Sequence, residues 1–178
     1  MKKIKLALSM KETLNCGLYQ SSKLTIFTYN KLKPVKNHDN IFYYEDALDN
    51  YMHANLIAGL AAVKVKFLTS DGNFTYCDTI LHDSSYDEFP KFVKRFLMEH
   101  EIGHSKNKDL DMDAKTSRMI LIKRSFGILP NIEIEADAYA ASIVGASNAK
   151  KALLFLRKRT DLPLTSKIEL MRRYWKIK

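Results

Sequence analysis

The sequence FPKFVKRFLMEHEIGH, residues 89–104, joins a helical apolar pattern to a pair of histidines. Ser85 and Glu88 precede it with the spacing of a capping box. We therefore predict one long helix from near Ser85 to about Ser105. Its apolar stripe, mostly at intervals of three and four, consists of Phe89, Phe92, Val93, Phe96, His100 and Gly103.

Strand patterns lie before this helix. Residues 24–29, 63–68 and 74–81 are rich in β-branched and aromatic residues, and Asp71-Gly72 between the last two predicts a hairpin. Residues 46–61 carry apolar residues at helical spacing, so we predict a helix there.

The chain after the long helix is predicted to be helical at residues 113–123, 132–144, 149–157 and 166–174. Strands first and helices after predict an α+β fold. We expect a single domain over residues 1–178. A small mixed or antiparallel sheet with helices would form its N-terminal part, followed by the long helix and a C-terminal helical part.

The charge of the chain is uneven. Its 178 residues contain 29 Lys plus Arg and 20 Asp plus Glu, a net charge of +9. Residues 150–178 hold ten of the basic residues and only two acidic ones, Asp161 and Glu169. Nucleic acid, a membrane surface or an acidic protein could each bind such a segment. The alternative is a solvated face on C-terminal helices.

The remaining composition bears on location. Cys16 and Cys77 are the only cysteines and have no CxxC spacing, which excludes a disulfide framework. Residues 6–10 are too short for the apolar region of a signal peptide, and the apolar run at 56–63 is less than half a membrane span. We expect a cytoplasmic protein with no membrane span.

The end of the long helix, His100-Glu101-Ile102-Gly103-His104, has the pattern of a zinc site. Residues four apart lie on one helical face, so both imidazoles can face one metal ion. Glu101 is rotated by about 100° and can reach a metal-bound water without being a ligand. The alternative is that both histidines are ordinary core residues on the apolar stripe.

A third ligand is available on the helix at 132–144. Glu133 and Asp137 are four apart and share one face. Glu133 could complete the ligand set, while Asp137 accepts the free ring N–H of a ligand histidine. Acidic residues also collect in a first helical turn for dipole reasons, which accounts for Glu133 and Glu135 but not for Asp137.

These motifs resemble the gluzincin zinc peptidases, and in detail the HtpX and CAAX-prenyl-protease family. The similarity covers about residues 93–173. It implies a zincin-like fold, one Zn²⁺ per chain, and Glu133 rather than Glu135 as the third ligand beside His100 and His104. The matching positions are residues 100–104 with Asn107 and Asp109, then residues 133–137 with Ala140 and Gly145.

The resemblance also implies a reaction. It is zinc-dependent hydrolysis of a protein or peptide substrate, more specifically by a metalloendopeptidase, with Glu101 as the general base that passes its proton to the leaving amine. An edge strand would hold the substrate in extended form. By resemblance we assign this strand to residues 74–81, with Phe74, Tyr76 and Thr79; the alternative is an ordinary core hairpin.

The chain departs from the family pattern in two respects. Family members are commonly integral membrane proteins, so the resemblance is to a soluble, minimal form. The family's Thr-His-Pro-Pro is matched best by Thr160-Asp161-Leu162-Pro163-Leu164, with Lys167 in place of a later Arg. Asp161 thus replaces a histidine that stabilises the oxyanion. That role would pass to Lys167, Arg172 or Tyr139, among which the sequence does not choose.

A second hypothesis belongs to another class of protein. The chain would then be a non-catalytic, zincin-like regulatory or binding module. Its basic C-terminal segment would dock on nucleic acid or an acidic protein, and Asp161 in the histidine position is its main support. We favour the peptidase, and nucleic acid is the less favoured partner.

Overall fold

A computed structural model describes residues 5–8, 25–28, 32–35, 41–44, 59–68, 74–82, 84–112, 116, 119–120, 122 and 128–178. Within these residues, six strands form one sheet in the order β2-β1-β5-β6-β4-β3. Adjacent strands are antiparallel except β4 and β6, which are parallel. The strands are β1 (Lys5–Leu8), β2 (Thr25–Thr28), β3 (Leu32–Pro34), β4 (Ile41–Tyr44), β5 (Leu60–Leu68) and β6 (Phe74–His82).

Four α-helices with defined bounds follow the sheet in the described part of the chain. They are α1 (Lys91–Lys106), α2 (Asn131–Val144), α3 (Ala146–Arg157) and α4 (Leu164–Lys176). Short 3-10 turns lie at Ser84–Glu88 and Asp109–Asp111. The predicted α+β class is confirmed.

The β5–β6 hairpin is confirmed, with Val65 opposite Cys77. Two predicted boundaries are wrong. The helix predicted at 46–61 cannot reach its last two residues, because β5 begins at Leu60; residues 46–58 lie outside the described residues. The long helix begins at Lys91 rather than near Ser85, since Pro90 disfavours helical backbone at the residue before it. The predicted helix at 113–123 lies mostly outside the described residues.

The core lies where α1 packs against the hairpin and the later helices. Its most deeply buried large side chains include Phe96 on α1, Ile80 on β6 and Leu153 on α3. The apolar stripe predicted from the sequence therefore faces inward. Truncating such a buried aromatic side chain to alanine typically lowers the free energy of unfolding by about 3–5 kcal/mol.

Gly103 sets the distance between α1 and α2. A Cβ atom at this position would lie 3.0 Å from both the Cα and the carbonyl oxygen of Ala136. These are backbone atoms, so a larger residue would force the two helices apart. The absence of a side chain at Gly103 thus allows α2 to approach the histidines on α1.

Among the described helices, none combines the length and the apolar character that crossing a bilayer requires.

Candidate metal centre

Three predicted ligands converge where α1 meets α2. His100 and His104 project from the last two turns of α1, and Glu133 projects from the first turn of α2. Their donor atoms lie within 4.8 Å of one another. The two Nε2 atoms are 3.2 Å apart, and His100 Nε2 is 3.4 Å from Glu133 Oε2. The three residues form a group that could hold a metal ion.

Each histidine has an aspartate at its other ring nitrogen. His100 Nδ1 lies 2.9 Å from Asp137 Oδ1, the contact anticipated for Asp137. His104 Nδ1 lies 2.8 Å from Asp109 Oδ2, in the 3-10 turn after α1. A carboxylate at Nδ1 fixes the hydrogen there and turns the Nε2 lone pair toward the centre.

Arg173 on α4 is a buried part of the centre that our sequence analysis missed. Its Nε and Nη2 donate to the two Asp137 oxygens, each at 2.7 Å, and its Nη1 is 3.1 Å from Glu133 Oε2. The spacing of Leu170, Arg173 and Ile177, all buried, would have placed Arg173 on the inner stripe of its helix.

The buried charges shift one another's protonation. Burial and the Arg173 charge lower the pKa of His100, but hydrogen bonds and charge from Asp137 and Glu133 outweigh them and raise it to about 9. Burial raises the pKa of Asp137, and Arg173 more than reverses this, so it lies below its usual value. Burial lowers the pKa of Arg173, yet the two carboxylates hold it above its usual value.

Glu101 connects α1 to the sheet. Its carboxylate is half-buried, and Oε2 accepts a hydrogen bond from the backbone N–H of Ala62 on β5 at 2.7 Å. This N–H points away from β6. Strand β1 pairs with β5 at Leu6 and Phe67, toward the other end of β5. The backbone next to Glu101 is therefore that of β5 near Ala62, on the side of the strand away from β6.

The assignment of the substrate edge strand to residues 74–81 is wrong. Strand β6 pairs with β5 on one side and with β4 on the other, so it is an inner strand. Thr79 is 1% exposed and belongs to the core. Phe74 and Tyr76 lie in the part of β6 that pairs with Leu68 and Lys66 of β5.

The two predicted cations of α4, Lys167 and Arg172, do not face the centre. Arg172 is exposed and Lys167 is half-buried, and at 100° per residue both lie on other faces of α4 than Arg173. Asp161 is exposed and hydrogen-bonds Arg159. Tyr139 is half-buried on α2, where its Cβ is 3.3 Å from the position of a Cβ at Gly103.

A small polar cluster ties β5 to the turn that carries Asp109. Lys64 forms an ion pair with Asp111 and lies 3.8 Å from Asp78, and the Ser105 hydroxyl donates to Asp78. The edge of β5, the end of α1 and the Asp109–Asp111 turn are thereby connected.

The donor set fits a divalent zinc ion. Two imidazole nitrogens and one carboxylate oxygen are ligands of catalytic zinc, which keeps a further position open. With both Nδ1 positions directed at carboxylates, the two Nε2 atoms need a positive charge between them. A proton on His100 or a metal cation supplies it.

Comparison with family models, with curated proteins and with solved structures finds no match to this chain.

Proposed function

We propose that this chain is a zinc-dependent metalloendopeptidase of gluzincin type with a zincin-like fold. His100, His104 and Glu133 would hold the metal, and Glu101 would be the general base. The observation that carries the proposal is the grouping of the His100, His104 and Glu133 donor atoms within 4.8 Å of one another, with Glu101 next to His100 on α1 and hydrogen-bonded to β5. A regulatory module with a structural metal would not require a half-buried carboxylate at that position.

Zinc bound here would polarise the scissile carbonyl and lower the pKa of the attacking water. The protein's own contribution begins with Glu101. Its carboxylate is held by the Ala62 N–H and is not one of the three grouped donors. It would take a proton from the attacking water and deliver it to the leaving amine nitrogen.

The substrate would bind in extended form along β5. Main-chain groups on the open edge of a strand recruit a peptide as an additional strand. The side of β5 that carries the Ala62 N–H would provide these groups, and Glu101 would mark the place of the scissile bond. The Lys64 cluster would hold the edge in register with α1.

Arg173 would act through other residues rather than on substrate. Its guanidinium hydrogens are engaged by Asp137 and Glu133, which leaves it poorly placed to stabilise an oxyanion. Of the three candidates for that role, Tyr139 is the one whose Cβ is shown beside the histidine motif, next to Gly103.

The test combines metal analysis with peptide cleavage by the full chain. We expect one zinc per chain, and Glu101→Gln should lower kcat by at least about a hundredfold while retaining the metal. Glutamine keeps a carbonyl that can accept the Ala62 hydrogen bond, so the fold is preserved. Glu135→Gln, at an exposed carboxylate two residues from Glu133, is the control and should retain full activity.

Cleavage that survives Glu101→Gln, or a protein without stoichiometric zinc, would contradict the proposal. Bound zinc without cleavage of a broad peptide library, together with salt-dependent binding to DNA, would favour the non-catalytic module instead.

A further inference from the structure

Helix α4 presents an apolar stripe on its outer face. Leu164 and Trp175 are each 72% exposed, Ile168 is 44% exposed, and Met171 is half-buried. Their spacing of four, three and four residues places all four on one side of the helix. Leu170 and Arg173 lie on the opposite side and are buried.

This stripe is the reverse of what a surface helix normally shows. Single exposed apolar residues are common, but the outer face of a helix packed on a core is usually polar. From Leu164 to Trp175 the stripe extends about 16 Å along the helix. A continuous exposed apolar strip of this kind is typical of an interaction surface.

Cations flank the stripe on both sides. At 100° per residue, Arg172 and Lys176 lie along one flank, and Lys167 lies along the other. Lys150 of α3 adds to the second flank, with its Nζ 5.6 Å from the centre of the Tyr174 ring. The single carboxylate of α4, Glu169, lies toward the inner side, where its charge acts on Arg173.

We propose that the outer face of α4 docks on an anionic membrane surface. An apolar stripe between two rows of Lys and Arg is the pattern of a helix that lies in the plane of a lipid interface. The apolar side chains would enter the acyl boundary, and the cations would meet the headgroup phosphates. Trp175 suits this depth, since indole rings are enriched at membrane interfaces.

Other anionic partners match only part of this surface. Nucleic acid would engage the cations and could stack on Trp175, but it offers nothing to Leu164 and Ile168. A second copy of the chain would cover the stripe, but it would bring two cationic rims together. A lipid surface satisfies both the apolar and the charged parts.

The placement also connects this surface to the metal centre. Arg173, on the inner face of the same helix, holds Asp137 and Glu133. Docking would thus occur on the face of α4 opposite to the one that holds Asp137 and Glu133. The inference does not depend on peptidase activity, since it rests on the outer face alone.

Trp175 is the only tryptophan of the chain and reports on the docking directly. The full chain is titrated with vesicles of phosphatidylcholine alone and with vesicles that also contain phosphatidylserine. We expect a blue shift of tryptophan emission and co-sedimentation with the anionic vesicles only. Both should weaken as salt is added, because the headgroup attraction is screened.

Two matched isoleucines separate docking from general surface effects. Ile168→Ser should weaken binding to anionic vesicles by about tenfold. Ile143→Ser removes a side chain of similar exposure, 47%, on α2 outside the stripe and should leave binding unchanged. Lys176→Gln should weaken it by about fivefold. Thermal unfolding of each variant checks that the fold is retained.

The proposal is overturned if anionic vesicles cause no emission shift, or if Ile168→Ser and Ile143→Ser bind alike. It is also overturned if sedimentation velocity shows a dimer in the absence of lipid that Ile168→Ser dissociates. A shift caused by duplex DNA or polyglutamate, with none caused by vesicles, would assign the face to another partner.

Discussion

The two histidines of the candidate metal centre occupy unlike environments although they belong to one motif on one helix. His100 is 4% exposed and contacts Asp137, which accepts two hydrogen bonds from Arg173. His104 is less buried and contacts Asp109, in a short turn after the helix. One proposed ligand is therefore part of the core, while the other is held by a local turn.

The largest change in stability should come from replacing Arg173, which holds Asp137 beside the buried His100. Arg173→Met would leave the Asp137 and Glu133 carboxylates buried without their cation. We expect the free energy of unfolding in urea to fall by about 3–5 kcal/mol. Arg172→Met, the adjacent exposed cation, should change it by less than about 0.5 kcal/mol.

If Arg173→Met does not fold, Arg173→Lys tests the same point. It keeps the charge but loses the bidentate geometry, so its loss of stability should be smaller. Equal stabilities of Arg173→Met and Arg172→Met would show that α4 does not anchor the centre.

The two aspartates give the sharpest test of the comparison. Asp137→Asn and Asp109→Asn should each weaken zinc binding by about 10–100-fold, because each fixes the orientation of a ligand histidine. Without metal, Asp137→Asn should lower the free energy of unfolding by about 3 kcal/mol, since it leaves Arg173 without a full counter-charge. Asp109→Asn should cost less than about 1 kcal/mol.

Calorimetric zinc titration and urea unfolding of both variants measure these effects. Equal stability losses would mean that Asp137 and Asp109 are equally integrated into the core. An unchanged zinc affinity in either variant would show that its aspartate does not orient a ligand.

Much of the centre could be predicted from local spacing. The four-residue interval brings His100 and His104 together, and the same interval pairs Glu133 with Asp137 on α2. The inner position of β6 and the position of Arg173 depend on long-range pairing instead. Placing β6 inside the sheet requires its parallel partner β4, a pairing that no hairpin pattern indicates.

The elements of the fold divide in the same way, into those set by local sequence and those set by long-range contacts. The β5–β6 hairpin and the helices after it were predictable, because turn residues and apolar periodicity act over a few residues. The start of α1 was not, because Pro90 overrides the capping box at Ser85 and Glu88. Strands β1, β3 and β4 were missed because they are three or four residues long and carry no distinct alternation.

Bound zinc should slow hydrogen exchange in the turn that carries Asp109. The Asp111 amide donates to the Lys108 carbonyl within the turn that carries Asp109. Opening this turn removes Asp109 from His104, so saturating zinc should slow its exchange by about 10–100-fold. The Arg159 amide, in a similar turn after α3, is the control and should not respond. Equal responses at the two amides would contradict local coupling.

The smallest effect concerns the backbone of the same turn. Lys108 has φ 62°, the left-handed region, directly after the last turn of α1. Lys108→Gly should raise the free energy of unfolding by about 1 kcal/mol, because glycine adopts this conformation without steric cost. Lys106→Gly, at the helical end of α1, should lower it by a similar amount. A loss of stability in Lys108→Gly would contradict this account of the turn.

The proposed zinc site consists of His100, His104 and Glu133. X-ray absorption at the zinc edge, recorded on the metal-loaded full chain, tests it most directly. We predict two imidazole nitrogens and at least one carboxylate oxygen at about 2.0–2.2 Å, with one nitrogen lost in His104→Ala. A spectrum with thiolate ligands at about 2.3 Å, or one unchanged in His104→Ala, would contradict the account.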